Sequence, residues 1–262
     1  MKTNILFILA LMLLFACQSK QTIENKENWV SLFNGKNLDG WEIKIKGFPL
    51  GENYKNTFSV KDSMIVVSYS EYDKFDMHFG HLFSKVKYSN YKLRLQYKFI
   101  GEAAKDAPSW AFMNNGVMLH SQSAESMELD RDFPASIEAQ FLGSNDTLKR
   151  PTLSVCTPGT IVSINGKPVT DHCTDSKSKP MPKDEWVNVE VIVYNDSIIH
   201  HVVNGDTVMT YTKPCLVPGE SYSLKEIKDT TSLKEGYLAL QAEGHGTLFR
   251  KIEILDLDQK NK

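Results

Sequence analysis

The chain has 262 residues, 41% hydrophobic and 24% charged, with 30 Lys+Arg against 32 Asp+Glu and a formal net charge of −2. That is ordinary globular composition, and the near-balance of charge argues against a broadly basic nucleic-acid binder. Its four cysteines include no CxxC pair, so they supply neither a dense disulfide scaffold nor a zinc site.

At the N-terminus Lys2 precedes the apolar run 5–16, which is too short for a spanning helix and reads as a secretory leader. Leu14-Phe15-Ala16-Cys17 has the form of a bacterial lipobox. Residues 1–16 are therefore read as a signal peptide, and Cys17 as the acylated first residue of the mature chain. The polar stretch 17–28 is a lipidated tether, with membrane contact through the anchor alone. The expected product is an exported bacterial lipoprotein facing the periplasm, where a disulfide is permitted.

Beyond the tether, period-two alternation dominates. Tyr91, Leu93, Leu95, Tyr97 and Phe99 fall on one face of a strand whose other face carries Lys92, Arg94, Gln96 and Lys98. Val187 to Val193 alternates in the same way. Strands are predicted at Thr160–Ile164, Ile198–Val203, Thr207–Tyr211, Gly236–Ala242 and Leu248–Leu257. Asn165-Gly166 and Asn204-Gly205 are type I′ hairpin signals. Only Ala124–Leu129 and Tyr222–Lys228 suggest helix, and both are short. The segment 143–182, rich in Pro and Gly, reads as a long loop region of the kind that carries function. Cys156 and Cys173 flank part of it and are the expected disulfide, which leaves Cys215 odd and without a role. Many strands separated by turns predict an all-β sandwich or barrel of curved antiparallel sheets.

Strand parity selects the candidate site. In Ser136–Phe141 the apolar Ile137, Ala139 and Phe141 point to the core, so Glu138 and Gln140 project together from the opposite face, about 7 Å apart. The same count aims Met118 and His120 outward from Gly116–His120, and Tyr237, Gln241 and Glu243 outward from Gly236–Glu243. His, Glu, Gln and Tyr suit a ligand groove better than Lys and Arg do; a merely wet sheet face is the alternative. Asp171-His172-Cys173 ties a histidine to the expected disulfide. Gly244-His245-Gly246 reads as a hairpin tip, Arg131-Asp132 as a local ion pair, and Trp110 as a surface on which a sugar could stack. The chain lacks G-x-S-x-G, H-E-x-x-H, P-loop and G-x-G-x-x-G motifs. One carboxylate on the groove strand, rather than two, makes conventional acid–nucleophile glycoside hydrolysis a poor fit.

The segments Val30–Trp41, Asn115–Gln122, Phe133–Gln140, Val155–Thr160, Val169–Cys173, Glu185-Trp186, His201–Gly205, Leu240–Glu243 and Phe249–Ile252 resemble, in order, the 3-keto-disaccharide hydrolase domain family. The resemblance covers about residues 29–257, with Asn114-Asn115-Gly116 standing where Asn-Ser-Gly is common, and the stretch Lys213–Lys234 hard to place. It implies a concanavalin A-like jelly roll, with residues 29–258 as one catalytic domain. It also implies action on 3-keto-glycosides, sugars oxidised at C3 by a separate dehydrogenase. A C3 ketone acidifies the C2 hydrogen, so a base can remove it and the C1 substituent can leave by β-elimination, with or without later hydration. Glu138 or His120 is the expected base and His172 the next candidate, as acid or electrophile. Gln140, Gln241, Glu243, Trp110 and Tyr237 are expected to bind substrate. The sequence names no cofactor with certainty, and His120, Glu138 and His172 are a possible divalent-metal set. A non-catalytic carbohydrate-binding lipoprotein is the alternative, and an interaction scaffold a more distant one.

Overall fold

The computed structural model describes residues 27–217 and 231–261. The leader, Cys17, most of the tether and the helix expected at Tyr222–Lys228 lie outside the described residues. Among these residues the chain is built of strands and short 3-10 turns, with no α-helix. In chain order the strands begin β1 (Val30–Ser31), β2 (Trp41–Ile45), β3 (Phe58–Lys61), β4 (Met64–Val67), β5 (Gly80–Ser84), β6 (Asn90–Ala103) and β7 (Asn114–Ser121). Next come β8 (Ile137–Ser144), β9 (Ser154–Cys156), β10 (Thr160–Ile164), β11 (Lys167–Pro168), β12 (Cys173–Thr174) and β13 (Met181–Pro182). The last are β14 (Val187–Tyr194), β15 (Ile198–Val203), β16 (Asp206–Leu216), β17 (Thr231–Ser232), β18 (Tyr237–Ala242) and β19 (His245–Asp256).

They form two sheets. The back sheet runs β11-β10-β16-β15-β14-β6-β19-β4-β3, and the front sheet β12-β9-β8-β7-β18-β5-β2. Pairing is antiparallel except where the two-residue β13 lies parallel to β8. This is the expected concanavalin A-like sandwich. The alternation of β6 is realised residue by residue: Tyr91, Leu93, Leu95, Tyr97 and Phe99 are buried, and the residues between them are half-exposed. They meet the inner face of the front sheet, where Tyr97 stacks on Phe141 at 4.4 Å. The hairpin pairs behave as type I′ chemistry demands, with positive φ at Asn165 (53°), Gly166 (77°), Asn204 (50°) and Gly205 (94°).

The front sheet is buried on both faces. Every residue of β7 is buried, and all of β8 except Gln140. One face packs on the back sheet, and loops cover the other, concave face. On one half of that face Ala124, Met127 and Phe133 from the loop before β8 close over Phe83, Met118 and Ala239. That loop contains the expected helix at Ala124–Leu129, which forms turns instead. Ser126 binds Ser123 through N–H to Oγ (3.2 Å) and Oγ to O (2.9 Å), an N-cap pattern, but only i→i+3 turns follow because packing of Ala124 and Met127 on the sheet sets the backbone there.

Cys156 and Cys173 form the expected disulfide from directly paired positions of β9 and β12. A link across 17 residues of sequence stabilises by about 3 kcal/mol in the chain-entropy account. Cys215 is a free, half-buried thiol.

Candidate active site

The site grows from one row of residues across the front sheet. Gln140 of β8 faces Gly116 of β7. The β18 register, Ala239 to Met118 and Leu240 to Val117, brings Gln241 to the level of Gly116, and Gln241 is paired in turn with His81 of β5. Glu138 stands opposite Met118 on one side and Cys156 on the other. Their chain neighbours Val117, Ile137, Ala139, Leu240 and Leu82 occupy the core, which leaves these side chains on the concave face. Gly116 is required here. A Cβ at this position would lie 2.5 Å from Glu138 Oε1 and 2.9 Å from its Cγ, so the glycine is the floor over which the carboxyl folds.

A cavity of 360 Å³ opens above this floor. Its polar wall is Glu138, Gln140, Glu243, Asn114, Arg150 and His172; its apolar wall is Trp110, Phe133, Leu142, Pro158 and the disulfide. The size suits a small ligand. A larger depression of 760 Å³ lies on the outer face of the back sheet. There the polar groups satisfy one another, Arg94 with Glu253 and Gln96 with Asn188, as on an ordinary solvated sheet face.

Two carboxyls dominate the electrostatics. Burial pushes Glu138 up to about 8. Burial raises Glu243 well above the ordinary carboxyl value, and the nearby Glu138 charge raises it further. Glu138 Oε1 and Glu243 Oε2 are buried without a hydrogen-bond partner. Two such groups titrate as a pair, and burial favours the protonated form of both. An unpaired buried polar group costs about 1–3 kcal/mol, an expense that bound substrate would relieve.

The surrounding groups are held firmly. Arg150 Nη2 donates to the carbonyls of Phe112 (2.7 Å), Gly143 (3.1 Å) and Met113 (3.2 Å). Its Nε donates to Gly143 O, so the Nη1 edge is left for a ligand. Asn114 Nδ2 donates to Trp110 O at 3.2 Å, while Oδ1 has no partner. Trp110 is 45% exposed and stacks on the buried Phe79, with ring centroids 5.7 Å apart. The His172 side chain is exposed at the cavity rim, and its carbonyl accepts Thr157 N–H at 2.9 Å. The neighbouring disulfide fixes this segment.

Glu138, Gln140, Glu243, Trp110 and His172 thus share one cavity, with Gln241 fully buried in the sheet beneath. His120 does not join them. Its φ is 48°, and β7 and β18 shift register between Tyr237 and Ala239, so the alternation breaks one residue short of it. The ring turns toward the back sheet, edge-on to Tyr91 at 6.1 Å, with Nε2 3.2 Å from Asn195 O. Tyr237 packs with the apolar cluster that fills the other half of the concave face. Because His120 stands apart, the set His120, Glu138 and His172 does not converge. Among the described residues, no three His, Cys, Asp or Glu side chains gather as a metal site. His245 opens β19, buried between the rings of Phe99 and Phe112 rather than exposed at a hairpin tip. Asp132 pairs with Lys46 at 2.6 Å, and Arg131 Nε donates to Phe133 O.

Two polar residues of the cavity wall, Asn114 and Arg150, escaped the sequence reading, as did His81, which pairs with Gln241 in the sheet beneath. Parity in His81-Leu82-Phe83, with Leu82 inward, carries the signal for His81. Arg150 comes from a loop, where no periodicity applies.

Comparisons with known proteins agree with this architecture. No curated protein matches the chain. A protein from Parabacteroides distasonis, provisionally assigned as a glycosyl hydrolase, superposes with TM-score 0.51 at 20% identity, over 88% of this chain and 94% of that one. A second such protein from the same organism gives TM-score 0.51 at 16% identity, over 87% and 99%. A galectin-like protein of unknown function from Bacillus subtilis gives 0.53 at 9% identity, over 84% and 90%. At these identities the likeness is one of fold. The family model described as "3-keto-alpha-glucoside-1,2-lyase-like domain" matches residues 28–255. The chain belongs to this carbohydrate-active family.

Proposed function

We propose that the protein cleaves 3-keto-glycosides by removing the C2 proton and eliminating the C1 substituent. The observation that carries this reading is the pair of buried, unpaired carboxyls, Glu138 and Glu243, on the wall of one cavity. A carboxyl raised to about 8 is a far stronger base than an ordinary glutamate, as an α-keto C–H demands. Its neighbour, held protonated, is an acid for the leaving oxygen.

The electrons balance as follows. Glu138 takes the C2 proton, and the C–H pair forms an enediolate with the C3 oxygen. That pair returns to make C1=C2 as the C1–O bond breaks and the C3 carbonyl is restored. Glu243 gives its proton to the departing oxygen. The products are an enone sugar and the free aglycone. Water adding across C1=C2 would convert the net lyase reaction into hydrolysis. Gln140, Asn114 and the free edge of Arg150 bind hydroxyls, and Trp110 offers a stacking face to the aglycone.

A non-catalytic binding module has no use for two carboxyls held against their ionisation. The test compares an aryl 3-keto-glucoside with its unoxidised parent. Aglycone should be released from the ketone alone, and Glu138→Gln should abolish the release. Equal release from both sugars, or from neither, refutes the reading. The ketone would come from a separate sugar 3-dehydrogenase. The disulfide is in keeping with an exported lipoprotein anchored through Cys17 and facing the periplasm; Cys17→Ser should leave the protein soluble after cell fractionation.

A further inference from the structure

The elimination needs a donor to the C3 oxygen where charge develops, and we infer that His81 and Gln241 form it, a two-residue clamp for the keto group. This rests on the proposed elimination and goes beyond it by naming the groups that polarise the carbonyl.

The two residues are directly paired across β5 and β18 and both are fully buried. Both ring nitrogens of His81 and both amide atoms of Gln241 lack a hydrogen-bond partner. Four orphan polar atoms on adjacent strands stand out in a protein interior, where nearly all such atoms are paired. They extend the row that starts at Gln140 and Gly116. One strand spacing separates Gly116 from Gln241 and a second separates Gln241 from His81, roughly 10 Å in all. A pyranose ring is narrower than that span, so the clamp must reach it through the length of the Gln241 and His81 side chains. A sugar lying over the glycine therefore meets Glu138 on the β8 side, Glu243 toward the mouth, and Gln241 and His81 on the β5 side. The reaction requires C2 to face the base, O1 the acid and O3 the clamp.

The chemical types fit. Gln241 supplies an N–H pair, and a neutral imidazole supplies one N–H. Burial holds His81 down to about 3, so the ring stays neutral at working pH. A neutral imidazole donor is matched to an enediolate and does not quench the base with a positive charge. Phe133 covers His81, with ring centroids 6.0 Å apart, and also lines the cavity. Neither His81 nor Gln241 lines the cavity itself, so the clamp requires the sugar to displace that ring.

The test uses the full chain in two arms. The first arm measures turnover of an aryl 3-keto-glucoside by wild type, His81→Leu, His81→Asn and Gln241→Leu, with thermal melts to check folding. The clamp predicts that His81→Leu loses 100-fold or more in kcat with little change in KM, and that the donor-bearing Asn recovers part of it. The second arm binds a 3-keto sugar that has no C1 substituent, labelled with carbon-13 at C3. Its carbonyl resonance should move downfield on wild type and much less on Gln241→Leu. Turnover of His81→Leu within threefold of wild type overturns the clamp. So does a carbonyl resonance unmoved on wild type, which needs no variant to fold. Ketone binding with a shifted carbonyl but no turnover by wild type would refute the elimination and leave the clamp standing. Neither binding nor turnover would overturn both.

Discussion

Replacing Glu138 by Gln should flatten the pH dependence of stability while it removes activity. In the folded protein burial raises the carboxyl from 4.5 to about 8. The native state thus holds a proton that the unfolded chain releases above pH 4.5. Stability from this group is fully present below that value and is lost as pH rises toward 8. At about 1.4 kcal/mol per pH unit the whole loss is roughly 5 kcal/mol, of which roughly 1 has gone by pH 5 and roughly 4 by pH 8. A glutamine cannot ionise and escapes the loss. It retains the cost of a buried amide, so the slope is the readout rather than the absolute stability. The neutral buried His81, His201 and His245 contribute the opposite slope at lower pH, and Glu243, raised first by burial, a slope of the same sign as Glu138, in wild type and variant alike. Urea midpoints by tryptophan fluorescence at pH 5, 6, 7 and 8 provide the comparison. The variant should gain on wild type by about 3 kcal/mol between pH 5 and 8, on the order of 1 M urea. Parallel curves would show that Glu138 is not held protonated, and the argument for its strength as a base would fall.

Other substitutions separate the roles. Glu243→Gln should cut turnover 10²–10⁴-fold for an alkyl or sugar leaving group. It should do far less for nitrophenol, and its acid limb should stay near pH 8 because burial alone raises Glu138; equal loss for all leaving groups would contradict the acid role. Gly116→Ala drives a methyl into the Glu138 carboxyl and should lower kcat at least tenfold with the fold intact, as a circular dichroism melt would verify. His120→Asn should leave kcat within threefold of wild type, because His120 faces Asn195 and Tyr91 rather than the cavity. Reducing the Cys156–Cys173 bond should cost about 3 kcal/mol and raise KM more than it lowers kcat, since it loosens the rim that carries His172.

Much of this site could be read before the structure, and the misses have definite causes. Alternation separates Glu138, Gln140, Gln241 and Glu243 from the core residues between them, because β8 is regular through Gln140 and β18 pairs regularly with β5 from Ala239 to Ala242, one residue before Glu243. The same rule fails for His120, one residue past the regular pairing, where a positive φ reverses the side chain. Nothing in Leu119-His120-Ser121 marks that bulge, and histidine is among the residues that tolerate the left-handed region. Glu138 lies on β8 and Glu243 directly follows β18, with β7 between the two strands, so only the sheet order makes them a pair. Their raised proton affinity depends on loops that bury the concave face, and parity carries no information about loops. Arg150 was hidden for the same reason. The helix expected at Ala124–Leu129 forms only turns because packing of Ala124 and Met127 on the front sheet overrides local propensity.

The central claim is that C2 loses its proton to Glu138. An aryl 3-keto-glucoside carrying deuterium at C2 tests it most directly. Wild type should show a primary isotope effect on kcat/KM and release an enone that has lost the deuterium, and Glu138→Gln should release none. Full retention of deuterium at C2 in the released sugar, with no isotope effect, would contradict the account.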